Sequence, residues 1–277
     1  MKSMDSLFSF GSVQAGRRQA LRAGAALTLL AALPLAAQAR LAIATAINRT
    51  ARNRALSQRI AKAYAQLQLG ILPDRARDVL TTARQLVRNG FKEMGQHEWP
   101  ADIGKLLAQL QQESDKLDSL VTQAPTKDSV LQVSAQADRM LDAANTATLA
   151  LEKLAQAGTA KLVNEAGHQR WLSQRLAKNY NLRAISPEDK ALREQLQADA
   201  QAFRHGMDML AKAPISTPAI RTQLELAQGQ WMFFDAALQR PADTRGLEAV
   251  ATTSERLIEV TNQLTDLYEV ALKEVLG

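Results

Sequence analysis

The sequence predicts an all-α protein built from two tandem up-down four-helix bundles, and three observations lead to this fold class. The chain is 46% hydrophobic but only 4% aromatic, and it is rich in Ala, Leu and Gln, which lose little side-chain freedom in a helix. Prolines stand where long apolar-periodic segments begin, a position at which the missing N–H costs no hydrogen bond. The sequence has no sustained strand-like alternation, and its Asn-Gly pair, Asn89-Gly90, does not join two alternating segments as in a hairpin.

An internal repeat divides the chain into two similar halves. Residues 47–64 align with residues 163–180 at an offset of 116, and nine of these 18 positions are identical. Asp138–Asp142 and Glu255–Glu259 align as well after one inserted residue. A repeat of this length has the size of a small domain and exceeds a solenoid unit. The predicted domains are a leader at 1–39, a first helical bundle at 40–158 and a second helical bundle at 159–277.

Each half contains four predicted helices, A to D, separated by Pro or Gly. In the first half they run from about Leu41 to Gly70, from Pro73 to Gly95, from Pro100 to Gln123 and from Pro125 onward. In the second half helix A ends near Ala184, helix B follows Pro187, helix C follows Pro218, and helix D follows Pro241 and continues nearly to Gly277. The short loops predict an up-down topology.

The junction between the halves decides how the bundles are arranged. Leu151, Leu154, Gly158 and Leu162 keep helical spacing through it, and a single Gly costs a helix only about 1 kcal/mol relative to Ala. We therefore expect one continuous helix that stacks the bundles end to end as a rod, with the two motif faces described below far apart. In the alternative, Gly158 forms a turn, the bundles lie side by side, and Arg54 and Arg170 converge.

The first 39 residues have the pattern of an export signal. Arg17-Arg18 precedes an apolar run from Ala23 to Ala36, and Ala37-Gln38-Ala39 supplies the small residues of a cleavage site. The paired arginines also fit a twin-arginine signal, with the general secretory route as the alternative. We expect cleavage before Arg40, no membrane span in the mature chain, and a periplasmic location.

The charge balance does not favour a nucleic-acid partner. The whole chain has a net charge of +6 and a pI of about 9.7. The leader holds four basic residues and one acidic residue, so the mature chain retains 30 basic and 27 acidic residues. This weak excess is too small to indicate a phosphate-binding surface.

Enzymatic chemistry and cofactor binding are not expected. The sequence has no cysteine, no Gly-rich phosphate loop and no nucleophile elbow. Its three histidines, His97, His168 and His205, lack the spacing of metal ligands, so we expect no metal site. Trp231, Phe233 and Phe234 form an aromatic cluster that we expect to pack inside the second bundle.

Polar residues repeat on helix A of both halves. Arg54, Gln58 and Lys62 are spaced four apart on one helix face, flanked by Asn48 and Arg59. The second half keeps all five residue types, as Asn164, Arg170, Gln174, Arg175 and Lys178. A solvated face would accept any polar residue, and helix B differs widely between the halves. The identity therefore predicts a binding or packing role for this face.

The repeated segment, Arg-x-Leu-Ser-Gln-Arg-x-Ala-Lys, resembles the N-terminal sensor domain shared by two families. These are the nitrate/nitrite sensor kinases of the NarX kind and the type IV pilus chemotaxis transducers of the PilJ kind. The second half fits the family motif with Asn164, Ala166-Gly167, Arg170, Ser173 and Arg175. The first half departs from it, with Thr50-Ala51 in place of Ala-Gly.

The resemblance implies a four-helix sensor that binds a small anion in the periplasm. In the nitrate sensors the motif arginine holds the anion, a role that falls here on Arg54 and Arg170, helped by Arg59, Arg175, Asn48, Asn164, Gln58, Gln174, Lys62 and Lys178. A guanidinium offers a planar fork of donors that suits a planar oxyanion. We expect a non-enzymatic sensor of nitrate or nitrite that acts through a protein partner or as a homodimer. The alternative is an interaction module that pairs with a receptor or a pilus or chemotaxis component.

Overall fold

The computed structural model describes residues 35–215 and 217–276 and has an all-α fold, as predicted. Within these residues there are eight helices and no strand. Arg40–Gly277 form one compact unit. The helices are α1 (Leu35–Leu69), α2 (Pro73–Met94), α3 (Ala101–Leu120), α4 (Lys127–Ala155), α5 (Gly158–Ile185), α6 (Lys190–Ala211), α7 (Pro218–Leu238) and α8 (Thr244–Leu276).

Local sequence signals explain where most helices begin. Pro73 and Pro218 occupy the first turns of α2 and α7, where proline lacks only an N–H that would stay unbonded. At the start of α4, the Thr126 side chain accepts a hydrogen bond from Ser129 N, and Ser129 Oγ accepts one from Thr126 N. This capping box satisfies two backbone donors that the helix itself cannot bond.

The second half closes into an up-down ring of four helices. Helix α5 contacts α6 and α8, and α7 also contacts both α6 and α8. In the first half α3 contacts α2 and α4, and an apolar core there joins Ile60 of α1, Val87 of α2, Leu117 of α3 and Met140 of α4. The core of the second half forms another cluster, which continues into Ile47 and Leu151 of the first half. The packing is compatible with two four-helix bundles that share part of their apolar interior.

The junction between the halves is a turn, so the prediction of a continuous helix was wrong. Helix α4 ends at Ala155, Gln156 adopts a left-handed conformation with φ 52° and ψ 23°, and α5 begins at Gly158. Gly158 is therefore the first helical residue rather than the turn residue. A left-handed non-glycine residue costs only about 1–2 kcal/mol, which the packing of α1 against α5 readily offsets.

The rod-like stacking was wrong for the same reason. Helices α1 and α5 lie directly against each other: an ideal Cβ on Gly167 would lie 3.2 Å from Ala51 Cβ. Lys62 of α1 also donates to Gln174 of α5 at 2.8 Å. The two contacts advance along both helices in the same direction, so α1 and α5 run parallel and the halves lie side by side.

The aromatic cluster of α7 is only partly internal. Trp231 stacks on Phe203 with ring centroids 4.2 Å apart, and Phe234 is fully buried. Phe233, which we expected in the core, is 66% exposed. Adjacent residues on a helix point about 100° apart. Because Phe234 faces the core, its neighbour Phe233 points towards the solvent.

The described helices contain no stretch that is long and apolar enough to cross a membrane. Arg17, Arg18 and most of the apolar run that starts at Ala23 lie outside the described residues. The export signal therefore stays a prediction.

Candidate functional site

The polar faces of α1 and α5 meet in the interior, between the two halves. None of their eight residues is more than 6% exposed. They are Asn48, Arg54, Gln58 and Lys62 of α1 and Asn164, Arg170, Gln174 and Lys178 of α5. Burial of charged side chains is expensive unless they find partners, so this face is a structured polar interface and not a solvated surface.

Arg54 is held by neutral acceptors. Its Nη1 donates to Asn145 Oδ1 of α4 at 2.9 Å, and its Nη2 donates to Asn164 Oδ1 of α5 at 2.9 Å. Longer contacts of 3.4 Å reach the carbonyl oxygens of Ala51 and Asn164. The hydrogen-bonding capacity of this guanidinium is therefore well used, although its charge has no bonded counter-ion.

Arg170 stands at the equivalent position of the second half and is much less well satisfied. Its one hydrogen bond among the described residues is from Nη2 to the carbonyl oxygen of Asn48, at 3.4 Å, and its Nε has no partner there. Arg170 is 1% exposed. A buried cationic donor without an acceptor costs on the order of 1–3 kcal/mol or more, so this group can still gain from a ligand.

The two guanidinium groups approach each other beside Gly167. An ideal Cβ on Gly167 would lie 3.0 Å from Arg54 Nη2 and 3.5 Å from Arg170 Nη2. A larger residue at this position would displace one of the arginines. The glycine of the motif therefore allows two helices and two cations to converge on one small space.

Burial dominates the electrostatics of this pair. Loss of solvation is the main reason that the pKa of both Arg54 and Arg170 falls to about 9. The charges of Arg52 and Arg54 contribute to the lowering for Arg170, and nearby carboxylates oppose it at both groups: Glu152 and Glu165 for Arg54, Asp266 and Glu269 for Arg170. No carboxylate bonds either guanidinium among the described residues. Both groups remain cations at neutral pH, so two poorly compensated positive charges lie side by side in the interior.

The two lysines form ion pairs that cross between the halves. Lys62 of α1 contacts Glu255 of α8 at 2.5 Å, and Lys178 of α5 contacts Asp138 of α4 at 2.6 Å. Glu255 and Asp138 are equivalent positions of the repeat, so the two pairs are related by exchange of the halves. Burial raises the pKa of Glu255, but the charges of Lys62 and Arg59 outweigh it and bring the pKa to about 2.

The motif asparagines repeat the same crossing pattern. Asn48 donates to Glu269 of α8, and Asn164 donates to Glu152 of α4 at 2.7 Å. Glu269 and Glu152 are again equivalent in the repeat. In each half, therefore, both the asparagine and the lysine of helix A bond the D helix of the other half.

The glutamines instead bond the D helix of their own half. Gln58 donates to the carbonyl oxygen of Ala137 at 3.2 Å, and Gln174 donates to that of Ser254 at 3.0 Å. Ser57 and Ser173 donate back to the carbonyl oxygens of Arg54 and Arg170, at 2.9 and 2.7 Å. These bonds fix the turns of α1 and α5 that carry the arginines.

Arg59 and Arg175 point away from the arginine pair. Arg59 is bonded to Glu255, and Arg175 makes a two-pronged contact with Asp199 of α6 at 2.8 and 2.5 Å. Both are half-buried. Each is already paired with a carboxylate, which Arg59 shares with Lys62, so the structure leaves them at the edge of the site.

Several important residues were missed at the sequence level. Gly167 was noted only as part of a motif, although it creates the close approach. Asp138 and Glu255 were aligned with each other but not recognised as the partners of the lysines. The sequence did contain a signal for these partners. Acidic residues recur at equivalent positions of the two halves, as the cations of helix A do.

The geometry suits binding rather than catalysis. The site offers guanidinium, ammonium and amide donors, and within the described part of the chain no cluster of His, Asp or Glu could hold a metal ion. Such a set of donors can compensate and orient a small anion. Fold and site together define a helical module with a buried, cation-rich polar interface.

Comparison with known families agrees with this class. Residues 154–264 match the PilJ family, described as the N-terminal region of type IV pili methyl-accepting chemotaxis transducers. This segment, less than half of the chain, is a PilJ-type domain. In chemotaxis transducers such domains are sensory and non-catalytic and act through protein partners. The segment contains the motif of α5 with Arg170. No curated protein sequence and no solved structure gives a significant match.

Proposed function

We propose that the protein is a periplasmic sensor that binds one small oxyanion, nitrate or nitrite, between Arg54 and Arg170 and signals through a protein partner. The observation that carries the proposal is the pair of fully buried guanidinium groups that converge beside Gly167 without a bonded carboxylate. Two adjacent buried cations are unfavourable by themselves, and a bound anion would relieve that cost.

The chemistry of the site favours a small planar anion. A guanidinium presents parallel N–H donors that match the oxygens of a planar oxyanion. Arg170 Nε is a buried donor that lacks a partner among the described residues. Ala51 and Gly167 bring the two helix backbones close together, so a large organic anion would have to separate α1 from α5.

Export and signalling through a partner complete the proposal. The compact unit begins at Arg40, the residue that the expected cleavage after Ala39 would leave first. The PilJ-type domain of residues 154–264 supports a sensory role that depends on another protein. A ligand that ties α1 to α5 would change the contacts of α4 and α8, whose acidic residues bond these same helices.

Calorimetry and thermal unfolding of the purified chain test the anion site. Nitrate and nitrite are titrated beside chloride and sulfate, with Arg54→Ala, Arg170→Ala and the control Arg77→Ala, which removes an exposed arginine bonded to Asp74. A ligand that binds only the folded state raises the melting temperature. Loss of either buried arginine should weaken binding by about 1.5–3 kcal/mol, the usual value of a charged hydrogen-bonding group.

The results also separate the two functional classes. Nitrate affinity that is equal in Arg54→Ala, Arg170→Ala and Arg77→Ala would place the anion elsewhere. Absence of any anion effect on the parent chain would reject the sensor proposal and favour the interaction-module alternative.

A further inference from the structure

A second candidate site lies in a groove of the second half, between α6 and α7 over one face of α5. The groove has a volume of about 320 Å³, within the range of small-molecule sites. Leu176 and Tyr180 of α5, Leu196 and Ala200 of α6 and Leu238 of α7 supply its apolar wall. Arg170, Gln174 and Lys178 lie on the other face of α5, against α1, so the groove is separate from the arginine pair.

Positive charge predominates at the edge of this groove. Arg183, Arg193 and Arg204 line it, with Asp235 as the only acidic lining residue. Asp235 is 3.4 Å from Arg204. This leaves two arginines whose charge is not balanced within the groove.

These two arginines are free to contact a ligand. Arg183 lies over the ring of Tyr180, 5.7 Å from its centroid, and Arg193 donates one hydrogen bond to the carbonyl oxygen of Pro187 at 2.7 Å. Among the residues that the structure describes, neither forms an ion pair. Both therefore retain unbonded guanidinium donors near an apolar wall.

A groove of the first half, which overlaps this position of the repeat only in part, provides an internal comparison. It lies between α2 and α3 and also has a volume of about 320 Å³. There Asp118 accepts from both Arg84, at 2.6 Å, and Arg88, at 3.0 Å, and Asp115 adds a second acid beside Lys92. In the repeat, Arg183 corresponds to Leu67 and Arg193 to Arg77, and neither of these lines the groove of the first half. The two unpaired arginines are therefore a feature of the second groove that the repeated architecture does not by itself require.

We propose that the groove between α6 and α7 binds an amphipathic organic monoanion, a carboxylate on an aliphatic chain. The carboxylate would accept hydrogen bonds from Arg183 and Arg193, whose charge it complements. The chain would lie against Leu176, Leu196 and Leu238, since removing apolar surface from water is favourable. Nitrate has no apolar part and cannot use this wall, so the inference does not rest on the anion site between α1 and α5.

Titration calorimetry of the full chain with octanoate tests the groove, with acetate and n-octanol as probes that lack one half of the chemistry. Octanoate should bind more tightly than either by about tenfold or more, because only octanoate engages both the arginines and the apolar wall. Equal binding of n-octanol and octanoate would show an apolar cleft without anion recognition and would overturn the proposal.

Substitutions locate the effect. Arg183→Gln/Arg193→Gln should weaken octanoate binding by about tenfold or more, whereas Arg183→Lys/Arg193→Lys, which keeps the charges but loses the planar fork of donors, should weaken it less. The control in the groove of the first half, Arg88→Gln/Lys92→Gln, removes two cations far from Arg183 and Arg193 and should leave octanoate affinity within about twofold of the parent. Arg193 is exposed and Arg183 half-exposed, so the variants should fold. Unchanged affinity in Arg183→Gln/Arg193→Gln, or no octanoate binding by the parent chain, would overturn the proposal.

Discussion

Among single residues, Arg54 and Arg170 occupy equivalent positions but differ in how they are satisfied. Arg54 is bonded by the amide oxygens of Asn145 and Asn164, whereas Arg170 has one long contact and an unbonded Nε. Asn262, the repeat equivalent of Asn145, forms no such bond to Arg170 among the described contacts. The asymmetry makes Arg170 the arginine that costs more stability without a ligand.

Arg170→Met should therefore stabilise the ligand-free protein. Replacing a poorly satisfied buried ion with an apolar residue of similar length is often favourable by about 1–4 kcal/mol. Urea denaturation of the anion-free protein measures the change in the free energy of unfolding. The matched variant Arg54→Met should instead destabilise, because it leaves Asn145 and Asn164 without their donor. Destabilisation of equal size in both variants would show that Arg170 is already satisfied.

Glu255 should make stability depend on acid pH. Its folded pKa of about 2 lies below the ordinary value of 4.5, so the folded state favours the charged carboxylate. The stabilisation is complete above about pH 4.5 and is lost as the pH falls towards 2, with a size on the order of 2 kcal/mol. The free energy of unfolding of the parent should thus fall more between pH 7 and pH 3 than that of Glu255→Gln.

Glu93→Gln is the matched control for this pH effect. Glu93 pairs with Arg49, but its side chain is 47% exposed, and exposed pairs contribute only about 0–1 kcal/mol. Its pH dependence should resemble that of the parent. A parallel fall in the Glu255→Gln protein and the parent would contradict the role of the buried pair.

The sequence predicted part of the site because its two copies have diverged. A polar residue that is identical in both copies therefore indicates a position with a constrained role. The sequence indicated that Arg54, Gln58 and Lys62 have a common role, and their burial confirms that the face is not a solvated one. It could not supply the partners. Lys62 meets Glu255 across 193 positions of sequence, and such a contact depends on how the two halves pack rather than on local spacing.

At the level of helices, boundaries followed local chemistry closely. Pro73 begins α2 as predicted, and Gly70, where helix A was expected to end, has a positive φ of 67° that suits glycine. The break at Gln156 was missed because the apolar spacing continues past it and no glycine marks the turn. Sequence propensities do not predict such a turn, because tertiary packing offsets the cost of the unfavourable backbone conformation.

Gln156→Gly should stabilise the turn between α4 and α5. Gln156 has a φ of 52° and an exposed side chain, so glycine removes the strain of the left-handed conformation at little loss of contact. The expected gain in the free energy of unfolding is about 1 kcal/mol, measured by urea denaturation. Gln156→Ala keeps the Cβ and should leave stability nearly unchanged. A gain in both variants would locate the cost in the glutamine side chain instead.

In the molecule as a whole, the two halves are arranged as the two subunits of a symmetric dimer would be. Each A helix bonds the D helix of the opposite half, through Lys62 with Glu255 and through Lys178 with Asp138. Covalent linkage therefore places both arginines of the site in one chain. If the anion site is as proposed, one anion should bind per monomeric chain.

The bonding of each A helix to the D helix of the opposite half also predicts how the second half associates when it is expressed as a separate chain. In a chain of residues 158–277, the face of α5 that carries Arg170, Gln174 and Lys178 would lose its cover. Its polar groups could be satisfied again if a second copy took the place of α1, because Lys178 of each copy would then meet Glu255 of the other, as Lys62 does now. We therefore expect this segment to fold as a homodimer.

Light scattering after size-exclusion chromatography measures the mass of that segment, and charge exchange tests the pairing. Lys178→Glu should weaken the dimer because it places two carboxylates together, and Lys178→Glu/Glu255→Lys should restore it by reversing the pair. Lys212→Glu, exposed at the end of α6, provides a charge-reversal control that should leave the dimer intact. A folded monomer would show that α5 does not need a partner helix. A dimer that is indifferent to Lys178→Glu would show that the copies associate through another face, and the likeness to a symmetric sensor would then be confined to the intact chain.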